Sequence, residues 1–80
     1  MAKDDKTKFA IHIDGTKYDV NKTSMTGAEL KALAGKDQSY QIFLEGRGQE
    51  ADKPIGDTEG VSIKSGLHFY TVPPATFGSL

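Results

Sequence analysis

Asp14-Gly15 separates two short runs of alternating apolar and polar residues. Phe9, Ile11 and Ile13 alternate with Ala10 and His12 before it, and Tyr18 and Val20 share one face after it. A tight type I′ turn needs positive φ at both central positions, and Asp-Gly is among the pairs that tolerate this best. Residues 9–20 are therefore predicted to form a β-hairpin.

The chain next marks the start of a helix. Thr26 is placed to be an N-cap, and Glu29, three residues on, completes a capping box in which each side chain satisfies the other's backbone N–H. Met25 and Leu30 occupy the staple positions on either side. Leu30, Leu33 and Ala34 form an apolar stripe, and Gly35 follows as a residue able to take the left-handed conformation. The predicted helix, roughly residues 27–34, is too short to hold alone and needs a sheet to cover.

Tyr40, Ile42 and Leu44 alternate with Gln41, Phe43 and Glu45, which predicts a third strand. Glu45-Gly46-Arg47-Gly48 reads as a turn. Residues 46–60 hold four glycines and Pro54, so they are expected to be mostly loop, with Ile55 as the apolar anchor. Residues 61–72 read as the last strand region. Val61 and Ile63 point one way, Ser65-Gly66 breaks the phase, and Leu67 and Phe69 then take the buried face. Pro73-Pro74 ends sheet pairing because neither residue has an N–H to donate. Four strands and one crossing helix predict a two-layer α+β domain over residues 9–72. Residues 1–8 are expected to be a flexible N-terminal arm and residues 73–80 an extended C-terminal tail.

Composition removes several function classes. The 80 residues include no cysteine, so a disulfide framework, a zinc ribbon and a thiol nucleophile are excluded. Ten Lys and Arg against 11 Asp and Glu give a net charge of −1, which supplies no basic footprint for nucleic acid. The apolar runs are too short to span a membrane, and the first residues lack the apolar stretch of a signal peptide, so a cytoplasmic protein is expected. His12 and His68 lie on different predicted strands with no cysteine beside them, which argues against a metal site. No serine sits in a nucleophile context, and Gly35-Lys36 lacks the upstream glycines of a phosphate loop. Gly46-Arg47-Gly48 reads as a turn rather than an RNA-binding motif. The nine lysines read as solubilising surface charges. No catalytic residue, cofactor or metal is expected.

Four segments in this order carry a family resemblance. They are Met25-Thr26-Gly27-Ala28-Glu29-Leu30, Tyr40-Gln41-Ile42-Phe43-Leu44-Glu45-Gly46-Arg47-Gly48, Asp52-Lys53-Pro54-Ile55-Gly56-Asp57, and Gly66-Leu67-His68-Phe69-Tyr70-Thr71-Val72-Pro73-Pro74-Ala75-Thr76-Phe77-Gly78. From about Phe9 to Gly78 the chain resembles the bacterial multiubiquitin family. The resemblance implies an α+β, β-grasp (ubiquitin-like) fold, a mixed sheet of four to five strands packed on one helix. It also implies a protein modifier in precursor form, with an E1-like activating enzyme, an E2-like conjugating enzyme, a ubiquitin-like-specific peptidase and target proteins as partners. Many members carry the domain in tandem; this chain carries one copy.

The tail suits that expectation. Pro73 and Pro74 favour an extended chain. Gly78 has no β-carbon, so a peptidase or nucleophile can approach its carbonyl closely. Ser79-Leu80 withholds the Gly78 carboxylate until it is cut off, leaving 78 residues. Phe77 stands where ubiquitin and many sulfur carriers have a second glycine, and it needs a pocket of its own in the partner enzyme. Phe43 on the third strand and His68 and Tyr70 on the last are expected to face outward as one aromatic recognition patch, since aromatic side chains dominate binding hot spots. Two other readings stand beside the modifier: a self-associating module whose tail docks on a neighbour's surface, and a sulfur carrier.

Overall fold

The computed structural model describes residues 8–74. The hairpin forms as the sequence predicts: β1 (Phe9–Ile13) and β2 (Thr16–Val20) pair antiparallel, with Ile13 opposite Thr16. Asp14 and Gly15 both have positive φ, 54° and 83°. The capping box also forms. The Glu29 backbone N–H donates to the Thr26 hydroxyl, and the Thr26 N–H donates to the Glu29 carboxylate. The helix α1 (Gly27–Leu33) has only seven residues, and a C-cap at Ala34 ends it.

The rest of the chain is richer in strands than the four expected. β3 (Ser24–Thr26) precedes the helix. β4 (Gln41–Leu44), β5 (Lys53–Ile55), β6 (Gly60–Ser62) and β7 (His68–Val72) follow it. Residues 46–60 are mostly loop, as expected, with Ile55 buried as their apolar anchor. They contain β5, which tolerates Pro54 because it is an edge strand and needs no donor on its free side. The last strand region is two strands in two sheets. β6 pairs with β3, whereas β7 runs through the middle of the main sheet.

The main sheet has the order β2-β1-β7-β4-β5. β1 and β7 are parallel and the other neighbours antiparallel, so the sheet is mixed. This five-stranded mixed sheet packed on one helix is a β-grasp architecture. Its core collects the inward residues of each strand: Ile11 and Ile13 from β1, Val20, Ile42, Ile55 and Phe69, with Met25, Val61 and Ile63 from the smaller sheet and its border. Leu30 of the helix is fully buried among them. Fully burying one such aliphatic side chain stabilises by about 1.5–3 kcal/mol, so a seven-residue helix persists here because of what Leu30 covers. Leu44 and Leu67, expected on the buried face, are half-buried at the margin of this core.

The helix start is also docked from outside. The Gly27 N–H donates to Gly56 O and the Ala28 N–H to Asp57 O. A β-carbon at Gly27 would collide with the Gly56 carbonyl, so the loop and helix can approach this closely only through a glycine.

One lysine departs from the expectation of surface charge. Lys31 is 2% exposed. Its Nζ donates to Gln38 O at 2.8 Å, Tyr40 O at 2.8 Å and the Asp57 carboxylate at 2.6 Å. An ammonium has three donors, and all are used. Lys31 thereby ties the helix to the chain entering β4 and to the loop after β5.

Candidate functional site

The sheet face opposite the helix is built by the residues that alternate with the core. On β4, Ile42 points inward and Phe43 outward; on β7, Phe69 points inward and His68 and Tyr70 outward. The antiparallel register sets Phe43 directly opposite Tyr70. Their rings stack with centroids 5.2 Å apart and planes within 10°. Pro54 of β5 lies opposite Phe43 on the other side.

Tyr70 is held at its far end as well. Its hydroxyl donates to the Asp52 carboxylate at 2.7 Å, and the second Asp52 oxygen accepts the Gly46 N–H at 2.8 Å. The Gly46 N–H and then the Tyr70 hydroxyl hold the Asp52 carboxyl below its usual range. In return, the hydrogen bond to Asp52 pushes the Tyr70 phenol above its usual value. The loop between β4 and β5 is therefore bolted to β7 through one carboxylate.

His68 does not sit on Phe43. It stacks instead on His12 of β1, with centroids 4.5 Å apart and planes within 5°. His12 is the residue that sequence reasoning left out of the patch. Its outward phase on β1 was readable, but its neighbour was not, because the parallel β1–β7 pairing joins segments more than fifty residues apart. The result is a band of four rings, His12 on His68 and Tyr70 on Phe43, across three adjacent strands. His12 Nδ1 is buried and has no hydrogen-bond partner.

The tail leaves from the end of β7. Asp14, in the hairpin turn, accepts the Thr71 N–H at 2.9 Å and the Thr71 hydroxyl at 2.6 Å. This carboxylate fixes β7 one residue before its end, where Val72 still pairs with Gln41 of β4. Val72, 39% exposed, is the last residue of the strand, and Pro73 and Pro74 after it are exposed. Phe77, Gly78 and Ser79 lie outside the described residues.

Among the described residues no group of three or more His, Asp or Glu is arranged to hold a metal ion. No helix among them is long and apolar enough to cross a membrane.

A five-stranded mixed sheet on a single helix, with an open aromatic face and an exposed segment after the central strand, defines a ubiquitin-like β-grasp domain. A family model described as Multiubiquitin matches residues 9–74, and the chain belongs to that family. No curated protein and no solved structure matches it.

Proposed function

We propose that this domain is a bacterial protein modifier in precursor form. A ubiquitin-like-specific peptidase cleaves after Gly78 and releases Ser79-Leu80. An E1-like enzyme adenylates the freed carboxylate in the cytoplasm, and an E2-like enzyme passes the modifier to target proteins. Water or the enzyme's nucleophile breaks the Gly78–Ser79 amide, and only then is there a carboxylate for ATP to activate. The nucleophiles, the ATP site and any metal belong to the partners.

The observation that carries this reading is the launch of the tail. The Asp14 clamp holds Thr71 one residue before the end of β7, and after Val72 come the exposed Pro73 and Pro74, neither of which can donate to a strand. An enzyme that threads a C-terminus into a narrow pocket benefits from such a rigid base and an unpaired, extended lead. Pro73, Pro74 and Phe77 are the tail's recognition residues in this reading. The band containing Phe43, His68 and Tyr70 is the face on which the E1-like and E2-like enzymes dock.

Two measurements test it. Incubation with the peptidase is expected to lower the intact mass by the Ser-Leu dipeptide. The Gly78-ended protein, mixed with the E1-like enzyme and ATP, is expected to form an adduct that thiol or hydroxylamine releases. An uncut chain, or a cut chain that forms no adduct, defeats the proposal. A mass corresponding to a thiocarboxylate would instead assign sulfur carriage.

A further inference from the structure

β2 is an edge strand of the main sheet, and its outer side has no partner strand among the described residues. The two-residue turn makes Ile13 and Thr16 a hydrogen-bonded pair, and the alternation of antiparallel ladders then makes Ile11–Tyr18 and Phe9–Val20 bonded pairs too. The residues between them on β1 confirm the phase: His12 N–H donates to Leu67 O, and Ala10 O accepts the Gly66 N–H, both away from β2. By the same alternation, the N–H and C=O groups of Lys17 and Asp19 point away from β1 toward the open edge. The opposite edge, β5, has three residues, one of them Pro54, and is a poor template.

We propose that this edge pairs with a second copy of the chain, antiparallel about a two-fold axis at Tyr18, to give one continuous ten-stranded sheet. The side chains choose this arrangement. With the axis at Tyr18, Lys17 of each copy lies opposite Asp19 of the other. These are the two residues whose backbone groups face outward, so each pair exchanges two main-chain hydrogen bonds and sets opposite charges side by side. Moving the strands by two residues puts Lys17 opposite Lys17 or Asp19 opposite Asp19. Moving them by one mismatches the hydrogen-bonding groups and sends side chains to the wrong face. A parallel, in-register pairing again opposes like charges.

Lysine on an edge strand commonly deters pairing. Here Asp19, two residues on and on the same face, removes the deterrent for one register and keeps it for the others. Within one copy these two side chains are only 3.9 Å apart and more than half exposed, so they are free to exchange partners.

On the helix side, the half-buried Tyr18 rings of the two copies meet at the axis. Beside them, a groove of 490 Å³, apolar at Val20, Met25 and Leu33 and polar at Asn21, Lys22 and Glu29, comes level with the hairpin turn of the second copy. The contact is isologous and closes as a dimer, so it does not propagate. It uses neither the aromatic band nor the β7 tail, and both remain open on each copy. The dimer would therefore present two such faces on one side of a single sheet, so a partner able to span them would bind with avidity.

Sedimentation velocity on the full chain, from micromolar to millimolar, tests the pairing. The expected result is a reversible monomer–dimer equilibrium. Lys17→Asp alone and Asp19→Lys alone are each expected to weaken association about ten-fold, because both cross-strand pairs change from attractive to repulsive. Mixing these two variants is expected to give a heterodimer tighter than either variant's own homodimer, since every opposed pair is then of unlike charge, as in the wild type. The double variant Lys17→Asp/Asp19→Lys is expected to regain the wild-type association. Asp19→Pro removes an edge-facing N–H without touching the β1 ladder and is expected to abolish the dimer. A wild-type chain that stays monomeric at millimolar concentration overturns the proposal. So do single variants that mix without forming a heterodimer, which both remain exposed-surface changes and need no refolding of the core.

Discussion

The two faces of the main sheet are built from the same strands and hold together by different means. The inner face places Ile11, Ile13, Ile42 and Phe69 against Leu30 and excludes water almost completely. The outer face carries four rings in two stacks, tied at the edges by Asp52 and left in contact with solvent. Burial scales with apolar area, whereas exposed stacks and hydrogen bonds contribute about 1 kcal/mol apiece. The inner face therefore carries the stability of this domain and the outer face is free to be used for recognition. In a domain this small the whole margin rests on few side chains.

The sharpest test of that division is Leu30→Ala. Leu30 is fully buried at the centre of α1, the only helix among the described residues, and its truncation is expected to cost about 2–5 kcal/mol through lost transfer energy and a cavity. Thermal or urea unfolding reads the loss. A cost below 1 kcal/mol would show that the helix is not the keystone of the inner face.

Lys31→Met comes next. It keeps the stem but removes three hydrogen bonds, leaving the carbonyls of Gln38 and Tyr40 unpaired in a confined place. Asp57 is well exposed and can turn to water. The expected cost is about 2 kcal/mol. A neutral or stabilising outcome would mean that the polar cluster can be replaced by packing, as happens at some buried ion pairs. Thr26→Ala, which strips the N-cap while leaving every core contact, is expected to cost about 1 kcal/mol by the same unfolding measurement.

How legible these regions were in the sequence follows the same physics. Local chemistry was readable wherever one residue type answers one geometric demand: Asp14-Gly15 for the turn, Thr26 and Glu29 for the cap, Pro73-Pro74 for the exit. The outward phase of Phe43, His68 and Tyr70 followed from period-two alternation. What alternation does not contain is which strands become neighbours. The His12–His68 stack rests on a pairing between the first and last strands, and the sequence has no local mark of it. The three-residue strands β3, β5 and β6 are too short to show a period, and their pairing is decided by the core that Met25, Ile55 and Val61 complete. Lys31 was missed for a related reason. A lysine beside a buried leucine reads as a surface charge until the chain folds two carbonyls and an aspartate over it.

On the outer face, Phe43→Ala should separate recognition from stability. The ring is half-buried against Tyr70, so its loss is expected to cost about 1 kcal/mol in unfolding. Under the modifier reading, binding to the E1-like enzyme by calorimetry is expected to fall far more, by ten-fold or greater, because hot-spot aromatics contribute most where they are desolvated by a partner. Equal losses in folding and binding would place Phe43 with the inner face and erase the distinction.

The smallest effect is expected at Tyr70→Phe, which keeps the stacked ring and removes only its tie to Asp52. The folded-state carboxyl of Asp52 lies below its unfolded value, so its contribution is present at neutral pH and is lost as pH falls through that lowered value. Glu29, Asp37 and Glu59 are lowered in the same direction by their own N–H and hydroxyl donors, so the domain as a whole is expected to lose stability on acidification. Tyr70 runs the other way. Its phenol is raised, so the bond's contribution is complete below the ordinary phenol range and is lost as pH climbs through the folded value. In Tyr70→Phe the alkaline loss should vanish, and the Asp52 titration followed by NMR should move up toward an ordinary aspartate while the Gly46 N–H still holds it partly down. An unchanged Asp52 titration would mean that the phenol contributes nothing to the carboxylate, and that the outer face is held by ring stacking alone.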